Sequence, residues 1–126
     1  MYEYNTKIER VVDGDTVDVF IDLGFEVWHH QRLRLAGIDA AEHNTPFGAA
    51  TKDYITKLLE GKSVKIQVSK PDKYGRYLAT IFLGSAVSIN DQMVSNHIAK
   101  AYSGDSKSGL WTPEELAVTT ITAQIV

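Results

Sequence analysis

The sequence predicts a single α+β domain, in which β-strands and amphipathic helices surround one core. Val17, Val19 and Ile21 are spaced by two residues, a pattern that predicts a strand with one buried face. After Pro46, apolar residues recur at helical spacing until Gly61, which suits a helix end. The chain has 126 residues, enough for one domain to bury a core without disulfides.

A second strand is predicted over residues 25–35, after a turn at Leu23-Gly24, because this run is rich in β-forming side chains. Its end places Leu33 on one face and Arg34 on the other, so Arg34 points away from the leucines. Gly37 then interrupts the run, and the loop that leaves a strand is a usual place for chemistry. The acidic residues predicted on this loop are Asp39 and Glu42.

The first helix is predicted from an apolar stripe of Ala50, Tyr54, Ile55, Leu58 and Leu59. Residues 64–68 alternate as another strand, and the turn at residues 72–75 leads into a strand over residues 76–83. Two strands joined by such a turn predict a hairpin, with Arg76 at its mouth.

A second helix is predicted after Ser88, which lies three residues before Asp91 in the manner of a capping box. Its apolar stripe consists of Ile89, Met93, Val94, Ile98 and Ala101. Residues 103–109 predict an exposed loop, and Thr112-Pro113 predicts a helix start. The β-branched run that follows leaves three structures open for the last residues: a frayed helix, a strand or disorder.

Amino-acid composition and net charge exclude several classes of function. The apolar fraction of 44% and the charged fraction of 23% are those of an ordinary globular domain, and cysteine is absent, which excludes thiolate zinc sites. The net charge of −3 disfavours a large basic surface, so binding of a polyanion must be local. No stretch is apolar enough for a membrane span or a signal peptide, so we expect a cytoplasmic protein unless a leader was removed. The candidate basic patch consists of Arg32, Arg34, Lys70, Lys73, Arg76 and Lys100.

Three clusters of charged residues carry the functional information: residues 13–16, 34–42 and 72–76. Alone, each has an ordinary interpretation as a β-turn, a helix cap or a surface ion pair. Together they supply carboxylates that can collect a hard cation and arginines that can hold a phosphoryl group. The combination predicts a metal-dependent phosphodiesterase.

These clusters resemble the signature motifs of staphylococcal nuclease and the thermonuclease-like domains, in the same order, over roughly residues 8–102. The matching segments are Val11-Val-Asp13-Gly-Asp15-Thr-Val17, Arg34-Leu-Ala-Gly-Ile-Asp39-Ala-Ala-Glu42 and Asp72-Lys-Tyr-Gly-Arg76-Tyr-Leu-Ala79. The resemblance implies an OB-type five-stranded β-barrel with two to three packed helices. It implies one nuclease domain over residues 1–126, in which residues 103–126 diverge.

The resemblance also implies a calcium site. In the family, the ion is held by the aspartates that match Asp15 and Asp39 and by the backbone carbonyl that matches Ala40. Oxygen ligands of this kind suit Ca²⁺. Asp13 resembles a residue that orients water or the loop around these ligands, and we place Thr16 in the same outer layer. The general base toward the attacking water corresponds to Glu42.

For the substrate, the resemblance implies that Arg34 and Arg76 hold the scissile phosphate through bidentate hydrogen bonds. Lys73 and Tyr74 match positions that contact a terminal nucleotide phosphate, and Tyr102 matches a tyrosine that packs on the base. Such contacts read little sequence, so single-stranded or flexible DNA and RNA are the expected substrates of a monomeric endonuclease.

Two departures from the family pattern stand out. Ala41 replaces the usual proline before the glutamate, which loosens the loop of Glu42 and predicts a lower rate. Only residues 103–108 separate Tyr102 from Gly109-Leu110-Trp111, so this wall of the site is built differently or is completed by a partner. Two other classes stay open: a binding module without catalysis, and a structural or assembly module.

Overall fold

The computed structural model describes residues 2–69, 71–104 and 110–126. The strands are β1 (Tyr2–Asp13), β2 (Thr16–Asp22), β3 (Trp28–Leu35), β4 (Ile38–Ala40), β5 (Ser63–Ser69), β6 (Tyr77–Phe82) and β7 (Ala99–Ala101). The helices are α1 (Pro46–Leu59), α2 (Ile89–Ser95) and α3 (Pro113–Leu116). Lys70 of the predicted basic patch and most of the predicted loop at residues 103–109 lie outside the described residues.

Five strands form a closed barrel in the order β1-β2-β3-β6-β5. All neighbours are antiparallel except β3 and β6, which pair in parallel over Leu33–Leu35 and Tyr77–Ala79. A separate two-stranded sheet joins β4 to β7. The predicted OB-type α+β barrel with two to three helices is therefore confirmed, and so is the hairpin of β5 and β6.

The barrel interior holds the alternating apolar side chains that the sequence pattern predicts. Ile55 and Leu59 of α1 and Met93 of α2 join this core from outside the barrel. Fully or nearly fully buried strand residues are Ile8, Val17, Val19, Leu33, Leu35, Ile66 and Ile81. Burial of these side chains supplies the main driving force for folding.

β3 begins later than the sequence predicts. Phe25 and Glu26 have φ angles of 55° and 62°, and the N–H of Val27 donates to the carbonyl of Gly24 at 2.9 Å. These two residues therefore form a tight turn, and the strand starts at Trp28. Although they belong to a β-rich run, these residues form the turn that joins β2 to β3.

α2 is shorter than its apolar stripe indicates. The helix ends at Ser95, and His97 has a φ of 60°, a left-handed conformation that reverses the chain. The prediction that Ile98 and Ala101 belong to this helix is wrong. Ile98 packs in the core after the reversal, and Ala101 lies on β7.

The tail begins with the predicted helix α3, whose capping box is formed by Thr112 and Glu115. Beyond it, residues 118–126 form neither helix nor strand. This segment packs on the domain, because the Tyr54 hydroxyl donates to the Ala123 carbonyl at 3.2 Å and Ile125 is buried. Across the described ranges, the helices are too short or too polar to cross a bilayer.

Candidate active site

The predicted metal ligands come from two segments that are separate in sequence and adjacent in space. Asp15 lies in the tight connection between β1 and β2, and Asp39 lies on β4. The prediction that Asp39 sits on a loop is wrong, because it pairs with Lys100 of β7. This pairing joins residues far apart in sequence and leaves no local pattern. The carboxylate of Asp39 is thus carried by a strand, and Glu42 lies on the loop after it.

Arg34 is the centre of the site and is only 4% exposed. Its Nη1 donates to the carbonyls of Leu35 at 3.1 Å and Ile38 at 2.9 Å. Its Nη2 contacts Asp15 Oδ2 at 3.4 Å and Asp39 Oδ1 at 3.3 Å. The face opposite the leucines is therefore buried at Arg34, and one guanidinium brings both carboxylates together.

Asp15 is fixed by the backbone around it. Its Oδ2 accepts a hydrogen bond from the N–H of Ala40 at 3.0 Å, and its Oδ1 accepts one from the Thr16 hydroxyl at 3.2 Å. Gly14 permits this approach, because a Cβ at that position would lie 2.8 Å from the Cβ of Ala40. The structure thus brings Asp15, Thr16, Asp39 and Ala40 together.

Asp13 stabilises the turn that carries Asp15. Its Oδ1 accepts a hydrogen bond from the N–H of Gly14 at 2.8 Å, and its Oδ2 lies 3.4 Å from Nδ1 of His43. Asp13 therefore links the β1–β2 turn to the loop of Glu42.

Glu42 has an exposed side chain on a tightly held backbone. Its carbonyl accepts hydrogen bonds from the N–H of Thr45 at 3.0 Å and from the Thr45 hydroxyl at 2.6 Å. A Cβ on Gly48 would lie 1.7 Å from this carbonyl oxygen, so only glycine lets α1 approach the loop. The start of α1 thus fixes the base of the Glu42 side chain.

The hairpin turn at residues 72–76 is organised by Asp72. Its Oδ1 accepts the N–H groups of Tyr74 and Arg76, each at 2.9 Å, and its Oδ2 accepts Arg76 Nε at 2.7 Å. Burial opposes ionisation of Asp72, but these N–H groups and the Arg76 guanidinium outweigh it and lower its pKa. Arg76 also lies 5.1 Å from the centre of the Tyr74 ring.

A cleft of about 460 Å³ joins this hairpin to Arg34. Arg34 lies 5.5 Å from the centre of the Tyr102 ring on one side of the cleft. The predicted residues that line it are Arg34, Lys73, Tyr74, Arg76 and Tyr102. Asp15 and Asp39 are linked to this wall through Arg34. The structure therefore unites every predicted substrate-binding side chain in one cleft, about as large as a small-molecule site.

The remaining residues of the predicted basic patch face other partners. Arg32 donates to Asp18 at 2.8 Å, and Lys100 forms an ion pair with Glu115. The Arg32 hydrogen bond, opposed by burial and helped by Arg10, holds the pKa of Asp18 below its ordinary value. Among the patch residues that the structure describes, Arg34, Lys73 and Arg76 line the cleft, whereas Arg32 and Lys100 do not.

The donor set fits Ca²⁺ in its chemistry. Asp15 Oδ2 and Asp39 Oδ1 lie at 3.4 and 3.3 Å from the same nitrogen of Arg34, and the N–H of Ala40 donates to Asp15. Within the described ranges, no three side chains of His, Cys, Asp or Glu converge on a metal position. A bound ion would therefore take its other oxygens from backbone, water and phosphate, which Ca²⁺ accepts.

Two residues of the site were missed by sequence reasoning. Trp111 Nε1–H donates to Asp39 Oδ2 at 3.0 Å, and its ring lies 5.7 Å from that of Phe47. The departure at Gly109-Leu110-Trp111 was noticed, but no local pattern relates Trp111 to a carboxylate 72 positions away. The altered wall of the site is thus built at least in part by the chain itself.

Asn90 is the second missed residue. Its side chain donates to the carbonyls of Ala36 at 2.9 Å and Ala79 at 3.0 Å, and accepts the N–H of Ile81 at 3.0 Å. It is buried at the start of α2. Asn90 therefore fixes the end of β3 beside Arg34 to β6, and a polar residue on the apolar stripe of a helix was the available clue.

The closed five-stranded barrel, with a buried arginine between two acidic residues, places the protein in the class of OB-type nuclease-like domains. The profile of the family described as Staphylococcal nuclease homologue matches residues 32–124. The chain belongs to this family. The match begins after Asp15, so the assignment of Asp13, Asp15 and Thr16 depends on the geometry above and on the motif resemblance.

Individual relatives agree with this family. An uncharacterized endonuclease of Escherichia coli O157:H7 is 33% identical over 96 residues, which are 76% of this chain and 60% of that protein. The thermonuclease of Staphylococcus hyicus is 33% identical over 107 residues, covering 79% of this chain and 60% of the relative. A probable staphylococcal-like nuclease, CAN3, of Oryza sativa subsp. japonica is 37% identical over 68% of this chain, but only 23% of that protein is covered. The chain spans at most 60% of the length of these relatives.

Proposed function

We propose that this chain is a calcium-dependent endonuclease that hydrolyses phosphodiester bonds of DNA and RNA with little sequence specificity. One observation carries the proposal: Arg34 and Arg76 line the same cleft, and Arg34 is bonded to two buried carboxylates. The names of the relatives, which include thermonuclease and endonuclease, support hydrolysis of nucleic acid.

The two arginines are proposed to hold the scissile phosphate. Both guanidinium groups line the same cleft, and a planar guanidinium can donate two hydrogen bonds to the oxygens of one phosphate. Their charge stabilises the additional negative charge that builds up when water attacks phosphorus. Arg76 reaches the phosphate from the exposed hairpin and is also placed to help the leaving oxygen depart.

Asp15, Asp39 and the carbonyl of Ala40 are proposed to hold Ca²⁺. When bound, the ion supplies Lewis-acid polarisation of the phosphate and of the attacking water. The chain keeps the two carboxylates close by placing Arg34 between them. Hydrogen bonds from Thr16 and from the N–H of Ala40 fix the orientation of Asp15.

Glu42 is proposed to accept the proton of the attacking water. Its side chain is exposed and therefore accessible to water, and its backbone is fixed by Thr45 and Gly48. A carboxylate that is open to water and carried by a fixed backbone is suited to act as general base. Asp13 supports this loop through His43.

Nucleotides on either side of the scissile bond are proposed to bind the aromatic and basic residues of the cleft. Tyr74 is 70% exposed at the hairpin, and Lys73 Nζ lies 5.3 Å from its ring. Tyr102 flanks Arg34 on the opposite side. Every base offers a face for stacking, so these contacts favour unpaired or flexible strands without reading their sequence.

The test is digestion of single-stranded DNA and RNA by the purified protein, with Ca²⁺ and with a chelator. We expect cleavage only with Ca²⁺, and a loss of about 100-fold or more in Glu42→Gln, the size of a general-base contribution. Glu114→Gln on the exposed first turn of α3 is the matched control and should keep full activity.

Three results would contradict parts of the proposal. A folded wild type that binds single-stranded DNA but cleaves nothing with Ca²⁺ indicates a binding module. Cleavage that persists in the chelator contradicts the metal. Full activity of Glu42→Gln contradicts the assignment of the base.

A further inference from the structure

We propose that Trp111 is a positioning residue for Asp39, which it orients as a ligand of Ca²⁺. The inference rests on the proposed function, because the ion is part of that function. It adds a residue from the C-terminal segment to a site that is otherwise built from the barrel and from β4.

Both oxygens of the Asp39 carboxylate have fixed partners. Oδ2 accepts the indole N–H of Trp111 at 3.0 Å, and Oδ1 faces Arg34 Nη2 at 3.3 Å. Asp39 is 4% exposed, so bulk water does not replace these contacts freely. Two donors on different oxygens hold the carboxylate plane in one orientation.

Trp111 is itself held on two sides. Its ring lies 5.7 Å from that of Phe47, at the start of α1, and Lys100 Nζ lies 5.3 Å from its ring centre. Lys100 is the residue that pairs with Asp39 across β4 and β7, and it also bonds Glu115 of α3. The indole is therefore held between the start of α1 and β7, the strand that pairs with the strand of Asp39.

The chemistry of an indole suits this task. Its N–H donates and cannot accept, so it can bond only to an acceptor such as the carboxylate oxygen of Asp39. Hydrogen bonds from outside the ligand set orient metal ligands, and their loss typically lowers metal affinity by about 10- to 100-fold. Trp111 has this relation to Asp39.

The experiment measures Ca²⁺ affinity by calorimetry in the whole chain. Trp111→Phe keeps an aromatic ring between Phe47 and Lys100 and removes the N–H. We expect its dissociation constant for Ca²⁺ to rise about 10-fold. Trp28→Phe is the matched control, because Trp28 is 54% exposed on β3 and should leave the affinity unchanged.

A second replacement separates positioning from packing. Benzothienylalanine at position 111 has the shape of tryptophan with sulfur in place of the N–H group. We expect it to keep the thermal midpoint of the wild type while its Ca²⁺ affinity falls as in Trp111→Phe. Saturating Ca²⁺ should then restore the cleavage rate, since the carboxylate and the arginines are unchanged.

The outcomes distinguish the two proposals. Weaker Ca²⁺ binding by both replacements, at an unchanged midpoint for the benzothienyl form, supports the inference. Wild-type affinity in the benzothienyl form overturns the inference and leaves the proposed function intact. A wild type that binds no Ca²⁺ overturns the metal assignment of the proposed function and the inference with it.

Discussion

The two arginines of the cleft are held in opposite ways. Arg34 lies on the barrel, is 4% exposed, and donates to two carbonyls and two carboxylates. Arg76 lies at the end of a hairpin turn, has a side chain that is 44% exposed, and pairs with Asp72. The same residue type thus belongs to the folded core in one case and to the surface in the other.

Because of this difference, the two arginines should differ in how far their removal lowers stability as well as activity. Removal of Arg34 leaves two buried carboxylates without their counter-charge, which costs folding free energy as well as phosphate binding. Removal of the Arg76 side chain leaves Asp72 Oδ1 bonded to the backbone N–H groups of the turn, so the cost in stability should be small. Mutations of Arg34 and of Arg76 should therefore give different combinations of lost stability and lost activity.

The largest effect is expected for Arg34→Ala. We expect the free energy of unfolding to fall by about 3 kcal/mol, because a buried ion pair is broken from one side. The cleavage rate of the fraction that stays folded should fall about 100-fold or more. Denaturant unfolding and single-stranded DNA digestion measure the two effects, with Arg32→Ala on the same strand as the exposed control. A free energy of unfolding in Arg34→Ala equal to that of the wild type would show that Arg34 does not stabilise the core.

Arg76→Ala comes next. We expect a loss of at least about 100-fold in rate, the size typical of one donor to a developing charge. The free energy of unfolding should change by less than about 1 kcal/mol, because the lost ion pair is exposed. The same two assays apply, with Lys73→Ala as a neighbouring loss of positive charge. A wild-type rate in Arg76→Ala would remove this residue from the catalytic group.

The smallest effect is expected for Asp72→Asn. The amide oxygen still accepts the N–H groups of the turn, but the charge that holds the Arg76 guanidinium is lost. We expect less than about a fivefold decrease in rate, because an ion pair at the surface of the hairpin contributes little. A decrease as large as that of Arg76→Ala would mean that Asp72 itself acts on the substrate.

The wild-type hairpin should also respond to acid. The folded-state pKa of Asp72 lies below its ordinary value of 3.8, so its stabilising contribution is present above that value and is lost as the pH falls through the lowered pKa. Amide NMR shifts of Tyr74 and Arg76 should report this transition at a pH below 3.8. The Asp72→Asn variant supplies the spectrum in which the transition is absent.

The sequence predicted the parts of the fold whose patterns are local. The spacing of Val17, Val19 and Ile21 predicted β2, and Gly61 and Pro46 bounded α1 closely. β1 was not predicted, because its exposed residues interrupt the apolar alternation and its pairing with β2 shifts register near Ile8.

The site was predictable in its residue types but not in its contacts. The alternation of β3 placed Arg34 opposite Leu33, but only the tertiary structure shows that this face is covered by β4 and Tyr102. The bond between Trp111 and Asp39 joins segments with no shared local pattern. Long-range contacts of this kind are set by packing, which a single sequence does not display.

The parallel pairing of β3 with β6 closes the barrel, and it does so beside both arginines. Arg34 is aligned with Leu78 in this pairing, and Arg76 directly precedes Tyr77, its first member on β6. The strand pairing that closes the barrel therefore also sets the spacing between the two arginines that are proposed to hold the phosphate. Local opening of this pairing should therefore abolish the proposed activity at the same moment that it exposes the core.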